Sequence, residues 1–90
     1  MTRYLVKTHY EATEQNDRQY GRKCDFYIGK NGIVIGTNEE PYTHTIVEYG
    51  YTTKATASKG LKARQKDAEE EAALGFWNVT AELIEYHISQ

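Results

Sequence analysis

Disulfide frameworks, membrane spans and flexible linkers lie outside what this chain can build. It has 90 residues, with one cysteine, Cys24, and one proline, Pro41. A lone cysteine excludes an internal disulfide and fits a reducing compartment. No stretch approaches the length of a membrane span, and the opening MTRYLVKTHYEATEQ has no apolar run long enough for a signal peptide. A cytoplasmic protein that works as it is made is therefore expected. There is no internal repeat, and no low-complexity tract beyond EEEAA. Strong charge of either sign is also missing. The formal net charge is −2, which argues against a general nucleic-acid binder.

What is present points to one small domain over residues 1–90 with a modest core. Hydrophobic residues make up 39% and charged residues 27%, as in an ordinary soluble protein. The aromatics are biased, with eight Tyr against two Phe and one Trp. Tyrosine has an apolar body and a polar tip, which suits half-buried sheet faces and protein interfaces.

The segment TRYLVKTHYEAT alternates. Tyr4, Val6, Thr8 and Tyr10 fall on one face, and Arg3, Lys7, His9 and Glu11 on the other, with Leu5 breaking the polar side. This period of two predicts a strand with one wet face. EQNDRQYGRK reads as a loop. CDFYIGKNGIVIGT predicts a hairpin, because Asn31-Gly32 tolerates the positive φ angles of a tight turn. NEEP makes a second turn. YTHTIVEYGY, rich in β-branched and aromatic residues, is expected to be a fourth strand. A helix follows, capped by Thr52 or Thr53 and ended by Gly75. Its apolar positions are Ala57, Leu61, Ala68 and Ala72, with Arg64 or Gln65 filling the gap. Gly60 beside them permits close approach to a sheet. FWNVTAELIEYHI alternates again, with Trp77, Val79, Ala81 and Leu83 on one face and Phe76, Asn78, Thr80, Glu82, Ile84 and Tyr86 on the other. The expected fold is α+β: a four- to five-stranded, mainly antiparallel sheet with one helix packed on one face, in the order β-β-β-β-α-β.

Catalytic motifs are lacking. His9, His44 and His87 show no ligand spacing, although His9 and His87 would approach each other if the first and last strands paired. GKNG lacks the pattern of a phosphate loop, and Ser58 and Ser89 have no nucleophile elbow around them. The expectation is a protein that is not an enzyme and carries no metal or cofactor.

The distribution of charge says more. Residues 51–66 carry Lys54, Lys59, Lys62, Arg64 and Lys66 with no acid. Residues 67–90 carry Asp67, Glu69, Glu70, Glu71, Glu82 and Glu85 with no Lys or Arg. A helix macrodipole prefers the reverse, at about 0.3–1 kcal/mol for each exposed terminal charge. Like charges also recur four apart, at Lys62 and Lys66 and at Asp67 and Glu71. Either these ends meet opposite charges within the chain, such as Arg18, Arg22 and Lys23, or the bipolar helix docks on a partner. That partner could be another protein or a second copy running antiparallel. The expected contact residues are Lys59, Lys62, Lys66, Glu70 and Glu71, with Tyr49 and Tyr51 beside them. The alternative is a small DNA-binding accessory domain contacting phosphates through Arg3, Lys7, Lys23, Lys30 and Lys54. In architecture it resembles the small sheet-reading domains at the N-termini of phage-type integrases, to whose helix opening EYGYTTKATASKGL is similar.

The stretch from NGIVIGT through GYTTKATASKGLKARQK, residues 31–66, resembles the YegP-like small bacterial domains. The residues that carry the likeness are Asn31, Gly32, Ile35, Thr37, Gly50, Tyr51, Thr52, Thr53, Lys54 and Gly60. The chain departs by inserting NEEPYTHTIVEY and by adding its first and last strands. The resemblance implies a fold and no activity. The closing GFWNVTAELIEY is similar to the ends of small phage and prophage proteins. That implies an accessory factor or inhibitor of a mobile element, without a membrane partner.

Overall fold

The computed structural model describes residues 1–89. Four strands form one antiparallel sheet: β1 (Thr2–Ala12), β2 (Lys23–Ile28), β3 (Val34–Thr37) and β4 (Trp77–His87). Their spatial order is β3-β2-β1-β4. A short helix, α1 (Thr43–Tyr49), and a long one, α2 (Lys54–Leu74), lie between β3 and β4 in the chain. The fold is α+β.

The alternation in β1 and β4 places their side chains as the sequence pattern predicts. On the α2 face, Val6, Ile28, Tyr51 and Ala57 are buried together, with Tyr4, Phe26, Leu61, Ala81 and Leu83 packed around them. Tyr10 sits between Phe26 and Trp77, edge-on to both at 5.6 and 6.1 Å. Leu5 belongs to the opposite face, which is not simply wet. It is fully buried there with Tyr27 and Ile46, flanked by Ile35, Ile84 and Tyr86.

Helix α1 provides that second cover, and it corrects the expected fourth strand. Thr, Ile, Val and Tyr favour strands, but the chain cannot reach a sheet edge here. At Asn38 the backbone takes φ 63° and reverses. Glu39 to Pro41 then fold against Gly36 of β3, where an added Cβ would lie 2.9 Å from the Glu39 carbonyl and 3.1 Å from Pro41. The next segment therefore lands on the face of the sheet. Its peptide groups find no ladder there, so they bond to one another as a helix. Ile46 anchors the helix, and Arg3 Nε donates to the Val47 carbonyl at 3.0 Å, placing a cation at the helix C-terminus. Tyr51 alone keeps a strand contact. It exchanges both backbone bonds with Tyr4 at 2.9 Å, next to β1 where β2 has ended at Ile28.

The ends of α2 match their sequence signals. Thr53 caps it, accepting from Thr56 N–H at 3.2 Å. Gly75 ends it in the left-handed conformation, at φ 84°. Gly60 has a clear steric reason. A Cβ there would overlap Tyr51 Oη and lie 2.9 Å from Cζ, so the bare backbone lets the helix settle on the buried ring. Ala57 and Ala68 are buried, whereas Ala72, expected on the same stripe, is exposed. In the β2–β3 turn, Asn31 and Gly32 both take positive φ, 62° and 75°.

Candidate protein-binding surface

A single helix about 10 Å wide covers roughly two strands spaced about 4.8 Å apart. Helix α2 packs mainly on β4 and β1 and meets the β2–β3 side chiefly at the turn and where Ala57 and Leu61 reach Ile28 and Phe26. At the turn Arg64 Nη2 donates to the Gly32 carbonyl at 3.3 Å. The same face of β2 and β3 is left beside the helix as the floor of a cleft of about 390 Å³. Phe26, Ile28, Val34 and Tyr10 make the floor, and Arg64, Asp67, Glu70 and Glu71 make the rim on the helix side. Val34 is 50% exposed, and its neighbour Ile33 is 45% exposed.

The rim is acidic. Arg64 is shared between the turn and Asp67, whose Oδ2 lies 3.8 Å from Nη1. Glu70 and Glu71 have no cationic neighbour of this kind among the described residues. The Tyr10 phenol is held above its usual range, first by burial and then by the negative charge of Glu71. Arg64 acts in the opposite direction, more weakly.

The residues expected to bind a partner do not form one patch. Glu70 and Glu71 border the cleft. Lys59 and Lys66 are exposed on the helix, and the 100° step per residue puts them on its outward side, away from buried Ala57 and Ala68. Lys62 lies on the opposite flank from Glu71, in line with Gln65 and Glu69. Tyr49 ends α1 on the other face of the sheet, its carbonyl carbon 3.0 Å from where a Gly29 Cβ would stand. Tyr51 is core, beneath Gly60. Among the described residues, Arg64–Asp67 is the one ion pair that the charges of α2 make. Arg22 bonds Gln19 and Lys23 approaches Glu11, so neither balances the acidic end of the helix.

The residues of the phosphate-binding alternative are scattered too. Arg3 is committed to the carbonyls of Val47 and Thr2. Lys7 lies 5.6 Å over the Tyr27 ring and opposite Glu82 in the ladder. Lys23 pairs across from Glu11 on that same face. Lys30 is in the β2–β3 turn and Lys54 opens α2.

Beyond α1, the face carrying Leu5 is bare and polar. His9 Nδ1 lies 2.5 Å from Asp25 Oδ1, and His9 Nε2 lies 3.6 Å from Glu11 Oε2. Lys7, Thr80 and Glu82 line the same shallow recess. His9 and His87 stand opposite Thr80 and Thr2, far apart along the β1–β4 pair, so pairing of the two strands does not bring them together. Among the described residues no three His, Cys, Asp or Glu side chains converge as metal ligands.

Sequence reasoning missed the floor of the cleft. The available signal was arithmetic: one helix cannot roof four strands, and the β2–β3 hairpin is the apolar pair left over. No protein-family model, curated protein or solved structure matches the chain. No helix among the described residues is long and apolar enough to cross a membrane.

Proposed function

We propose that this protein is a binding module without catalytic chemistry, and that it recognises another protein through the cleft between α2 and the β2–β3 hairpin. One observation carries the reading: half-exposed Val34 and partly exposed Phe26, above buried Ile28, lie open beside acidic Asp67, Glu70 and Glu71. Burying that floor supplies the affinity, and the acidic rim selects a basic partner and sets its orientation. The matching ligand is a segment with apolar anchors flanked by Lys or Arg. A role as an accessory factor or inhibitor of a mobile element is compatible with this mode of action.

The test compares proteins captured from an extract of the native host by the wild type, by Val34→Asp, by Glu70→Lys/Glu71→Lys and by Lys59→Glu. Circular dichroism confirms that each is folded. A partner lost with the first two variants and kept with the third supports the cleft. An identical captured set for all four overturns it. Phosphate binding is the second reading, and it has less behind it because its cations sit on separate surfaces among acids. A salt titration against duplex DNA decides it, since phosphate contacts weaken steeply with salt.

A further inference from the structure

We propose that two copies of this chain join along the free edge of β4, on a two-fold axis through Ala81, forming one continuous sheet with the two α2 helices side by side and antiparallel. This surface lies on the other flank of α2 from the cleft, with Val79 of β4 bordering both.

Met1 and Ile88 exchange both backbone bonds, at 2.9 and 2.8 Å, so they form a hydrogen-bonded pair of the β1–β4 ladder. Antiparallel ladders alternate. The peptide groups of Asn78, Thr80, Glu82, Ile84 and Tyr86 therefore point to β1, while those of Trp77, Val79, Ala81, Leu83, Glu85 and His87 point outward. The bond from Thr13 N–H to the Phe76 carbonyl, at 3.1 Å, has the same parity. Among the described residues no strand lies on the outward side.

Natural sheet edges are usually blunted by proline, lysine, bulges or short length. The β3 edge is: it has four residues, a register irregularity with β2 at Tyr27/Ile28, and Glu39 to Pro41 folded against it. The β4 edge has none of these. Its eleven residues pair with β1 without a register shift, and WNVTAELIEYH contains no proline, lysine or glycine. Between α2 and this edge runs a shallow groove bounded by Gln65, Ala68, Glu69 and Ala72 above and Val79 to Ala81 below.

Charge selects the occupant and the axis. With the axis at Ala81, outward groups meet outward groups: Ala81 faces its own copy, and Val79 faces Leu83. An axis at Glu82 would set that carboxylate directly against itself. The groove sets Gln65 to Ala72 of α2 alongside Val79 to Ala81, and because α2 runs antiparallel to β4 its Gln65 end lies toward Ala81. The same axis therefore puts Lys62 of one helix opposite Glu69 of the other, twice. Helix α2 contacts both β1 and β4, so the two helices stand about two strand spacings apart, near 10 Å, an ordinary helix-packing distance. A helix basic in its first half and acidic in its second is complementary to an antiparallel copy of itself. That accounts for a polarity that its own macrodipole opposes.

The experiment measures the solution mass of the full chain over a concentration series by sedimentation. The wild type is expected at twice the 10.4 kDa of the chain. Ala81→Pro removes an outward N–H that β1 does not use, and is expected to give a monomer. Lys62→Glu and Glu69→Lys each turn two attractions into two repulsions and are expected to weaken dimerisation about tenfold. The double variant Lys62→Glu/Glu69→Lys is expected to restore it. These charges are exposed, so this arm does not depend on Ala81→Pro folding. A monomeric wild type at all concentrations overturns the proposal. So does a dimer indifferent to the single charge reversals, or one that the double swap fails to restore.

Discussion

The two faces of the sheet are built from the same strands and end differently. On the α2 face, a 21-residue helix lies along the β1–β4 pair and leaves its apolar uncovered part over β2 and β3. On the α1 face, a seven-residue helix covers Leu5, Tyr27 and Ile84, and the remainder, from Lys7 to Glu11, is polar. An uncovered region matched to water is finished surface. An uncovered region floored by Val34 and part of Phe26 is a place where something can bind. That contrast, more than any single residue, directs attention to the cleft.

The largest effect should come from the border between covered and bare on the α1 face. Leu5→Ala empties a fully buried site and is expected to cost about 2–5 kcal/mol in urea unfolding. A cost under 1 kcal/mol would mean that α1 does not seal a second core. On the α2 face, Gly60→Ala is expected to destabilise by about 1–3 kcal/mol despite the better helix propensity of alanine, because the new methyl meets Tyr51. In a Tyr51→Phe background the loss should shrink, since the nearest clashing atom is gone. Equal losses in both backgrounds would detach Gly60 from that ring.

A smaller and graded effect should come from alkali. The Tyr86 phenol is raised well above its usual range by burial and then by Glu40, whose Oε1 accepts its bond at 3.4 Å. Tyr10 is raised by burial and Glu71, and Tyr4 by its hydrogen bond to Glu85. The folded chain thus holds these protons longer than the unfolded one. Their stabilising effect is complete below about pH 10 and declines as pH rises beyond it. Phenolate absorbance should show a late-titrating group, and Glu40→Gln should bring part of it down. A single unperturbed transition would count against the buried settings. The smallest effects belong to the bare end of the α1 face. Lys7→Ala and Thr80→Ala should each change stability by no more than about 0.5 kcal/mol. Losses approaching that of Leu5→Ala would show that this end is not finished surface.

Much of the architecture was legible before the coordinates. Period-two alternation assigned β1 and β4 and sorted their faces. Asn31-Gly32 marked the turn, and Thr52 or Thr53, with Gly75, bounded α2. These are local signals, fixed by backbone sterics and by hydrogen bonds within a few residues. The candidate site was legible only in part. Glu70 and Glu71 were picked out by charge, but Phe26, Ile28 and Val34 were placed only as strand residues of the hairpin. Tyr51 looked like a surface ring, because nothing local tells a strand-former that it will lie beneath a glycine nine residues on.

The amino-acid order alone thus determined the elements whose cause is local: the two long strands, the hairpin turn, the long helix and its reversed charge. Tertiary structure decided what depends on distant neighbours. It made THTIVEY a helix, because the chain was delivered to a face and not to an edge. It buried Leu5 under that helix, and it left one stretch of apolar sheet without a roof. The physical reason is that burial and backbone pairing are satisfied by the whole assembly, and a segment's preference yields when its partners are elsewhere.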